Sequence, residues 1–319
     1  MKKKATGHSH AKVIFLGEHS AVYHQPAIVF PVPQANVTAT LQASNQGVTT
    51  IHSQYYSGPI ADLPASMAGI TALIQKLHQE LNRQHQPMNL EINSTIPLGR
   101  GMGSSAAIAS AIIRGYFAFF ETPLSRATLT EYTDIEEKIT HGNPSGIDAQ
   151  TVNVSHPILY EQQQFIDFTP QLSGFLVIAD TGLAGNTKTA VNQVREFLEA
   201  DPVRQELITR LGHLTEVVKT SLTNQDLVKT GQVLTEAQAI LTALGVSTTQ
   251  IEQLVAVANQ AGALGAKLTG SGLGGCIIAL APDYPSAKRI AAALTDYGAT
   301  QTWIQSLTEL NPEENNNDE

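Results

Sequence analysis

The chain has 319 residues, room for about two domains of ordinary size and a substantial core. Apolar residues make up 42% and charged residues 15%, which excludes a disordered chain. With 28 acidic and 19 basic side chains the net charge is −9, so phosphate backbones are repelled and no nucleic-acid partner is expected.

The single cysteine, Cys276, can neither staple the chain nor build a cysteine-rich metal site, and it reads as a small buried hydrophobe. The first residues include three lysines, Lys2, Lys3 and Lys4, but the next apolar run, 13–16, falls far short of the roughly 20 residues of a membrane span. The expectation is a cytoplasmic protein with no membrane partner.

Short apolar runs at 11–16 and 27–32, punctuated by Gly17 and Gln25-Pro26, predict a hairpin-like pair of strands. Residues 36–41 alternate, with Val37, Ala39 and Leu41 on one face. Ile70, Leu73, Ile74, Leu77 and Leu81 recur at helical spacing and predict a helix over 67–81. Leu90, Ile92 and Ile96 alternate as in a half-buried strand. Helices are predicted at 105–120 and 127–140, the second stopped by Gly142 and Pro144. Residues 175–179 read as a buried strand.

The second half is mostly helical, at 202–222, 224–244, 248–263 and 285–297, with Asp201-Pro202 opening the first of these as N-cap and N1. Strands are predicted at 276–280 and 301–304. The composition shifts near 182–190, so domains are expected at 1–182 and 183–310, followed by a disordered acidic tail, 311–319.

The strongest chemical signal is the loop Pro97, Leu98, Gly99, Arg100, Gly101, Met102, Gly103, Ser104, Ser105, set between a strand and a helix. Alternate glycines let the backbone approach a ligand, and the free N–H groups of the following helix attract anions. The serine hydroxyls can reach a phosphate or a metal ion. No lysine follows the last glycine, so this is not a P-loop, and Ser104 replaces the third glycine of a dinucleotide fingerprint.

Residues 270–275 match G-x-G-x-x-G literally, but read as a helix-to-strand turn, the reverse of the strand-then-helix order that fingerprint needs. Asp180-Thr181-Gly182 resembles an aspartic-protease triplet, yet no second copy supplies the partner carboxylate.

Asp148 sits in an irregular Gly/Pro loop, 142–148, where it could accept a proton or bind a metal, and Glu137 lies 11 residues earlier on a helix. Alone, each is an ordinary turn or surface residue. Together with the glycine loop they form a constellation. Lys12 lies in a strand, where most lysines face solvent. Glu18 and His19 make a charged turn after it, and His8 and His10 read as solvated.

Three blocks, Lys12 to Tyr23, Pro97 to Ala107 and Lys267 to Cys276, together resemble the GHMP small-molecule kinases. The 142–148 loop, and Ala179-Asp-Thr-Gly182 followed by Asn186-Thr187-Lys188, are similar to the mevalonate kinase subgroup, in particular its short bacterial form. The resemblance runs through nearly the whole chain in the family's order. It implies a two-domain α+β GHMP-kinase fold with the active site in an interdomain cleft. The implied reaction is ATP-dependent phosphorylation of the 5-hydroxyl of (R)-mevalonate, in the mevalonate route to isoprenoids.

By the same resemblance the 97–105 loop binds the nucleotide, and Ser105 and Glu137 hold Mg²⁺. Asp148 accepts or orients the hydroxyl proton, and Lys12 pairs with Asp148 and the reacting hydroxyl. Glu18 and His19 lie at the mevalonate end, Thr187 faces the cleft, and Gly270, Ser271 and Gly272 support the phosphate loop. Small-molecule partners are therefore ATP and mevalonate, and a homodimer is common in the family.

The chemistry agrees with these roles. Phosphoryl transfer proceeds through a loose, highly charged state, so catalysis is mainly positioning and charge neutralisation. Two positions depart from the family pattern. Arg100 stands where a small residue is usual and Met102 where leucine is, so Arg100 either touches a phosphate or faces solvent. A sister kinase acting on phosphomevalonate, homoserine or a sugar, and a non-catalytic nucleotide-binding regulator, are the competing readings.

Overall fold

The computed structural model describes residues 2–45, 47–81, 86–141 and 146–310. The expected acidic tail, 311–319, lies outside the described residues, as do 142–145 of the loop before Asp148.

The chain begins with strands β1 (Lys4–Leu16), β2 (Ala27–Ala43), β3 (Thr50–His52) and β4 (Ser57–Pro59), then helix α1 (Ala68–Glu80) and strand β5 (Met88–Ser94). Helices α2 (Ser104–Phe119), α3 (Arg126–His141) and α4 (Ile147–Thr151) follow, then strands β6 (Ile158–Glu161), β7 (Gln164–Asp167) and β8 (Phe175–Asp180). Next come α5 (Thr187–Glu199), α6 (Gln205–Thr223), α7 (Leu227–Ala243), α8 (Thr249–Gln260), β9 (Gly265–Thr269), β10 (Cys276–Ala281), α9 (Tyr284–Asp296) and β11 (Gln301–Ser306). Among the described residues no helix is long and apolar enough to cross a membrane.

Two compact units result. One comprises the residues up to Ala11, Ala35–Pro97 and Gly103–Asn153, and the other comprises Lys12–Gln34, Leu98–Met102 and the described residues from Val154 onward. The division differs from a single cut after residue 182. Phe175–Asp180 pairs antiparallel with both β10 and β11, so it belongs to the sheet of the later residues. The change in composition near 182–190 marks where helices become frequent.

In the first unit the strand order is β4-β3-β5-β2, with β1 beside β2. Val37, Ala39 and Leu41 share the buried face of β2, while Asn36 is exposed, as alternation requires. Helix α1 buries Ile70, Leu73, Ile74 and Leu77 at helical spacing, and α2 is buried nearly all round by its small and aliphatic residues.

Tyr116 of α2 is fully buried, burial raises its phenol pKa so that it stays protonated, and its hydroxyl hydrogen-bonds His78 Nε2 of α1 at 3.0 Å. Desolvation lowers the His78 pKa. Below the ordinary value of about 6.5 the unfolded chain therefore binds more protons than the folded one, and stability falls with pH. The denaturation midpoint is expected to drop between pH 7.5 and pH 5.5, and to drop less in His78→Gln. An equal drop in the variant would place the acid loss elsewhere.

In the second unit the sheet order is β11-β8-β10-β9, antiparallel throughout. Every residue of β10 is buried, Cys276 included, so both faces of this central strand are covered. Helices α7, α8 and α9 pack against the sheet, and α6 packs on α7. Asp201 caps the turn before α6 by accepting from Val203 N at 3.1 Å, with Pro202 at N1 as expected. Ala27–Val29 of β2 pairs with β6, which forms a hairpin with β7.

Candidate active site

In the first unit β5 ends at Ser94 and α2 starts at Ser104. Gly99, Gly101 and Gly103 in the connecting loop have φ of 68°, 74° and 69°, left-handed values that favour glycine. Gly103 is the N-cap of α2 and offers no side chain, so the first-turn N–H groups have no side-chain cap. Uncapped amides backed by the helix dipole form an anion site. The Ser104 hydroxyl is buried there without a hydrogen-bond partner.

Ser105 Oγ donates to Glu136 Oε1 at 2.5 Å. Glu136 and Glu137 are adjacent on α3 and only 2% and 3% exposed. Burying two neighbouring carboxylates is costly unless a cation accompanies them. Mg²⁺ takes one or two carboxylates together with water and phosphate oxygens, so a buried carboxylate beside a serine hydroxyl suits it. Among the described residues there is no group of three or more His, Cys, Asp or Glu placed to hold a metal alone. The sequence pointed to Glu137. The hydrogen bond to Ser105 comes from its neighbour Glu136, which the sequence reading passed over.

Asp148 lies in the first turn of α4, part-exposed, after Gly146 at φ 75°. Three bonds through Asn153 hold that short helix. Asn153 Nδ2 donates to Ala149 O at 2.7 Å and to Thr133 Oγ1 at 3.3 Å, and Ser110 Oγ donates to Asn153 Oδ1 at 2.6 Å. The helix of Asp148 is thereby tied to α2, which carries Ser104 and Ser105, and to α3, which carries Glu136 and Glu137. Asn153 is a positioning residue that the sequence reading missed. One asparagine after a loop carries no signal until its three partners are known.

In the second unit Lys12 is 3% exposed, against the usual outward pointing of strand lysines, and its N–H donates to Met102 O at 3.0 Å. Glu18 is fully buried and ion-paired with Lys267 of β9, which also donates to Leu268 O at 2.7 Å. The second oxygen of Glu18 is buried without a hydrogen bond. Burial raises the Glu18 carboxyl and lowers the Lys267 amine, and their mutual attraction opposes both shifts.

His19 adopts the left-handed conformation at φ 59°. Its Nε2 lies 2.9 Å from Ser271 O, and because a carbonyl only accepts, Nε2 carries the proton. Desolvation lowers the His19 pKa and favours this neutral ring. Thr187 Oγ1, exposed at the start of α5, donates to Ser271 Oγ at 3.2 Å. Ser271 is thus the meeting point of His19 and Thr187.

The 270–275 loop joins strands β9 and β10, not a helix and a strand as the sequence suggested. The following strand still excludes a dinucleotide fingerprint. A Cβ on Gly270 would lie 3.2 Å from Gly101 Cα, so the two glycine loops pack backbone to backbone.

Residues 68–155 match the GHMP kinases N-terminal domain and residues 218–300 match the GHMP kinases C-terminal domain. The chain belongs to the GHMP kinase family. The fold class expected from sequence, a mixed helix-and-strand GHMP-kinase fold, therefore holds. This GHMP kinase is 30% identical over 312 residues to the mevalonate kinase of Thermococcus onnurineus strain NA1, covering 91% of this chain and 92% of that one. Among solved structures it is similar to mevalonate kinase from Staphylococcus aureus MRSA252, with TM-score 0.76, 29% identity and coverage of 96% and 100%. It is also similar to L. major mevalonate kinase in complex with R-mevalonate, with TM-score 0.82, 25% identity and 95% of each chain covered. As in other kinases of the family, ATP is the co-substrate.

Proposed function

We propose that this GHMP kinase transfers the γ-phosphoryl group of ATP to the 5-hydroxyl of (R)-mevalonate, giving 5-phosphomevalonate and ADP. The observation that carries the reading is the match along nine-tenths of the chain to mevalonate kinases, with Lys12, Ser105, Glu137 and Asp148 all present.

The 97–105 loop and the open α2 N-terminus receive the triphosphate. Ser105 and Glu137 would hold Mg²⁺, with Glu136 orienting the Ser105 hydroxyl through their hydrogen bond. When bound, that ion neutralises charge on the phosphate oxygens. Asp148 takes the proton from the 5-hydroxyl as the new P–O bond forms and the bond to ADP breaks. Lys12 favours the oxygen as negative charge develops on it. His19 and Thr187 border the mevalonate end through Ser271. Gly270, Ser271 and Gly272 support the phosphate loop. The single cysteine, buried and reduced, suits a cytoplasmic enzyme.

Phosphorus NMR of the product tests the reaction. A phosphate coupled to the C5 methylene protons is the expected result, and phosphate on the tertiary 3-oxygen or on the carboxylate contradicts it. Glu137→Gln is expected to raise the Mg²⁺ concentration for half-maximal rate about tenfold, as loss of one charged ligand implies. Unchanged Mg²⁺ dependence would remove Glu137 from the metal site.

A further inference from the structure

We propose that Arg100 is a positioning residue, which fixes the glycine loop by clamping onto Asp180 and does not itself bind phosphate. The inference rests on the reading of the 97–105 loop as the triphosphate loop.

Two features of the sequence had no place in the function: the arginine where the family carries a small residue, and the Asp-Thr-Gly triplet that is not a protease motif. The structure joins them. Arg100 Nε approaches Asp180 Oδ1 at 2.8 Å, a charge contact with the N–H poorly aimed, and Arg100 Nη2 donates a well-aligned bond to Gly182 O at 2.8 Å. The side chains are only 17% and 6% exposed, so the guanidinium turns inward and its charge is matched.

The platform it grips is rigid. Asp180 ends β8, paired with Cys276 on one side and Gln301 on the other. Its Oδ1 accepts from Gly182 N at 2.9 Å, and its backbone oxygen accepts from Thr300 N at 3.0 Å. Thr181 is held twice by Gly275 O, and Gln250 Nε2 donates to Thr181 O at 2.7 Å.

The loop it restrains has much backbone freedom to lose, because Gly99 and Gly101 flank Arg100 and glycine loses the most backbone freedom on ordering. A further bond, Gly185 N to Gly99 O at 2.9 Å, holds the same stretch. A loop ordered beforehand has less freedom left to lose when ligand binds, so the clamp raises nucleotide affinity without touching the nucleotide.

The two possible roles of Arg100 predict opposite signs for Asp180→Asn. If Arg100 is a phosphate ligand, Asp180→Asn frees its charge and ATP binds as well or more tightly. If Arg100 positions the loop, the same change loosens the clamp and ATP binds about tenfold more weakly, the scale of one charged hydrogen bond.

The experiment is calorimetric titration of the full chain with the non-hydrolysable analogue AMP-PNP and Mg²⁺, for wild type, Asp180→Asn, Arg100→Ala and Arg100→Lys. Thermal melts of each variant accompany the titrations. Expected are weaker binding in Asp180→Asn and Arg100→Ala, partial recovery in Arg100→Lys, and a larger change in the KM for ATP than in kcat. Arg100→Ala is further expected to leave the salt dependence of binding unchanged, whereas loss of a phosphate ligand lessens it. Wild-type or tighter binding by Asp180→Asn overturns the inference. If that variant does not fold, wild-type affinity or a reduced salt dependence in Arg100→Ala overturns it instead. Wild-type protein that binds no AMP-PNP overturns the triphosphate-loop reading, and the inference falls with it.

Discussion

Asp148→Asn is expected to lower kcat by about 10²–10⁴-fold while ATP affinity stays within a few-fold of wild type. Asparagine keeps the size and shape of the side chain but cannot take a proton from the attacking hydroxyl. The residue is part-exposed, and its short helix is held by the bonds of Asn153, which the substitution leaves in place. The size of the effect follows from the chemistry. In a loose phosphoryl-transfer state the hydroxyl loses its proton late, so base assistance supplies part of the acceleration and charge neutralisation the rest. Steady-state kinetics with a parallel ATP titration reads both quantities. Near-normal turnover would remove Asp148 from the mechanism.

Removing one partner of the Glu18–Lys267 pair is expected to destabilise the fold by about 3–5 kcal/mol, because the other charge is left buried without its nearest counter-charge. Both side chains are 0% exposed, and among the described residues Lys267 Nζ donates to Glu18 and to the Leu268 carbonyl. A loss of this size is a large part of the 5–15 kcal/mol that typically holds a domain together. Lys267→Met with Glu18→Gln should regain much of it, since neither buried charge then remains. Urea denaturation of both single variants and the double variant gives the coupling directly. Single variants within about 1 kcal/mol of wild type would contradict the account. The Glu18 carboxylate is ion-paired with Lys267 in the turn that carries His19.

Periodicity made the large elements legible. The helix seen at Ala68–Glu80 and the strand seen at Phe175–Asp180 follow from residue spacing and apolar runs. Strand β1 begins at Lys4, seven residues before its apolar run, because its first half buries Ala5, Gly7 and Ser9, which leave no hydrophobic alternation to read. Strand β2 runs unbroken past Pro31 and Pro33, residues that look like interruptions. The β6–β7 hairpin turns on Gln162 and Gln163, both at positive φ, an unusual pair for a turn. Strand β9 was hidden because Ala266, Leu268 and their neighbours continue the composition of the helix before them.

The glycine loop was legible because its chemistry is local. The burial of Lys12, the Glu136–Ser105 bond, the Asn153 clamp and the Glu18–Lys267 pair were not, since each depends on partners up to 249 residues apart.

The most direct test of the central claim is ADP release from Mg²⁺-ATP with (R)-mevalonate, measured beside phosphomevalonate, homoserine and galactose as acceptors. Turnover with mevalonate and background rates with the other three acceptors are expected. Turnover with one of the others and none with mevalonate would contradict it, leaving the fold and phosphate loop in place but removing the substrate roles given to His19, Thr187 and Asp148.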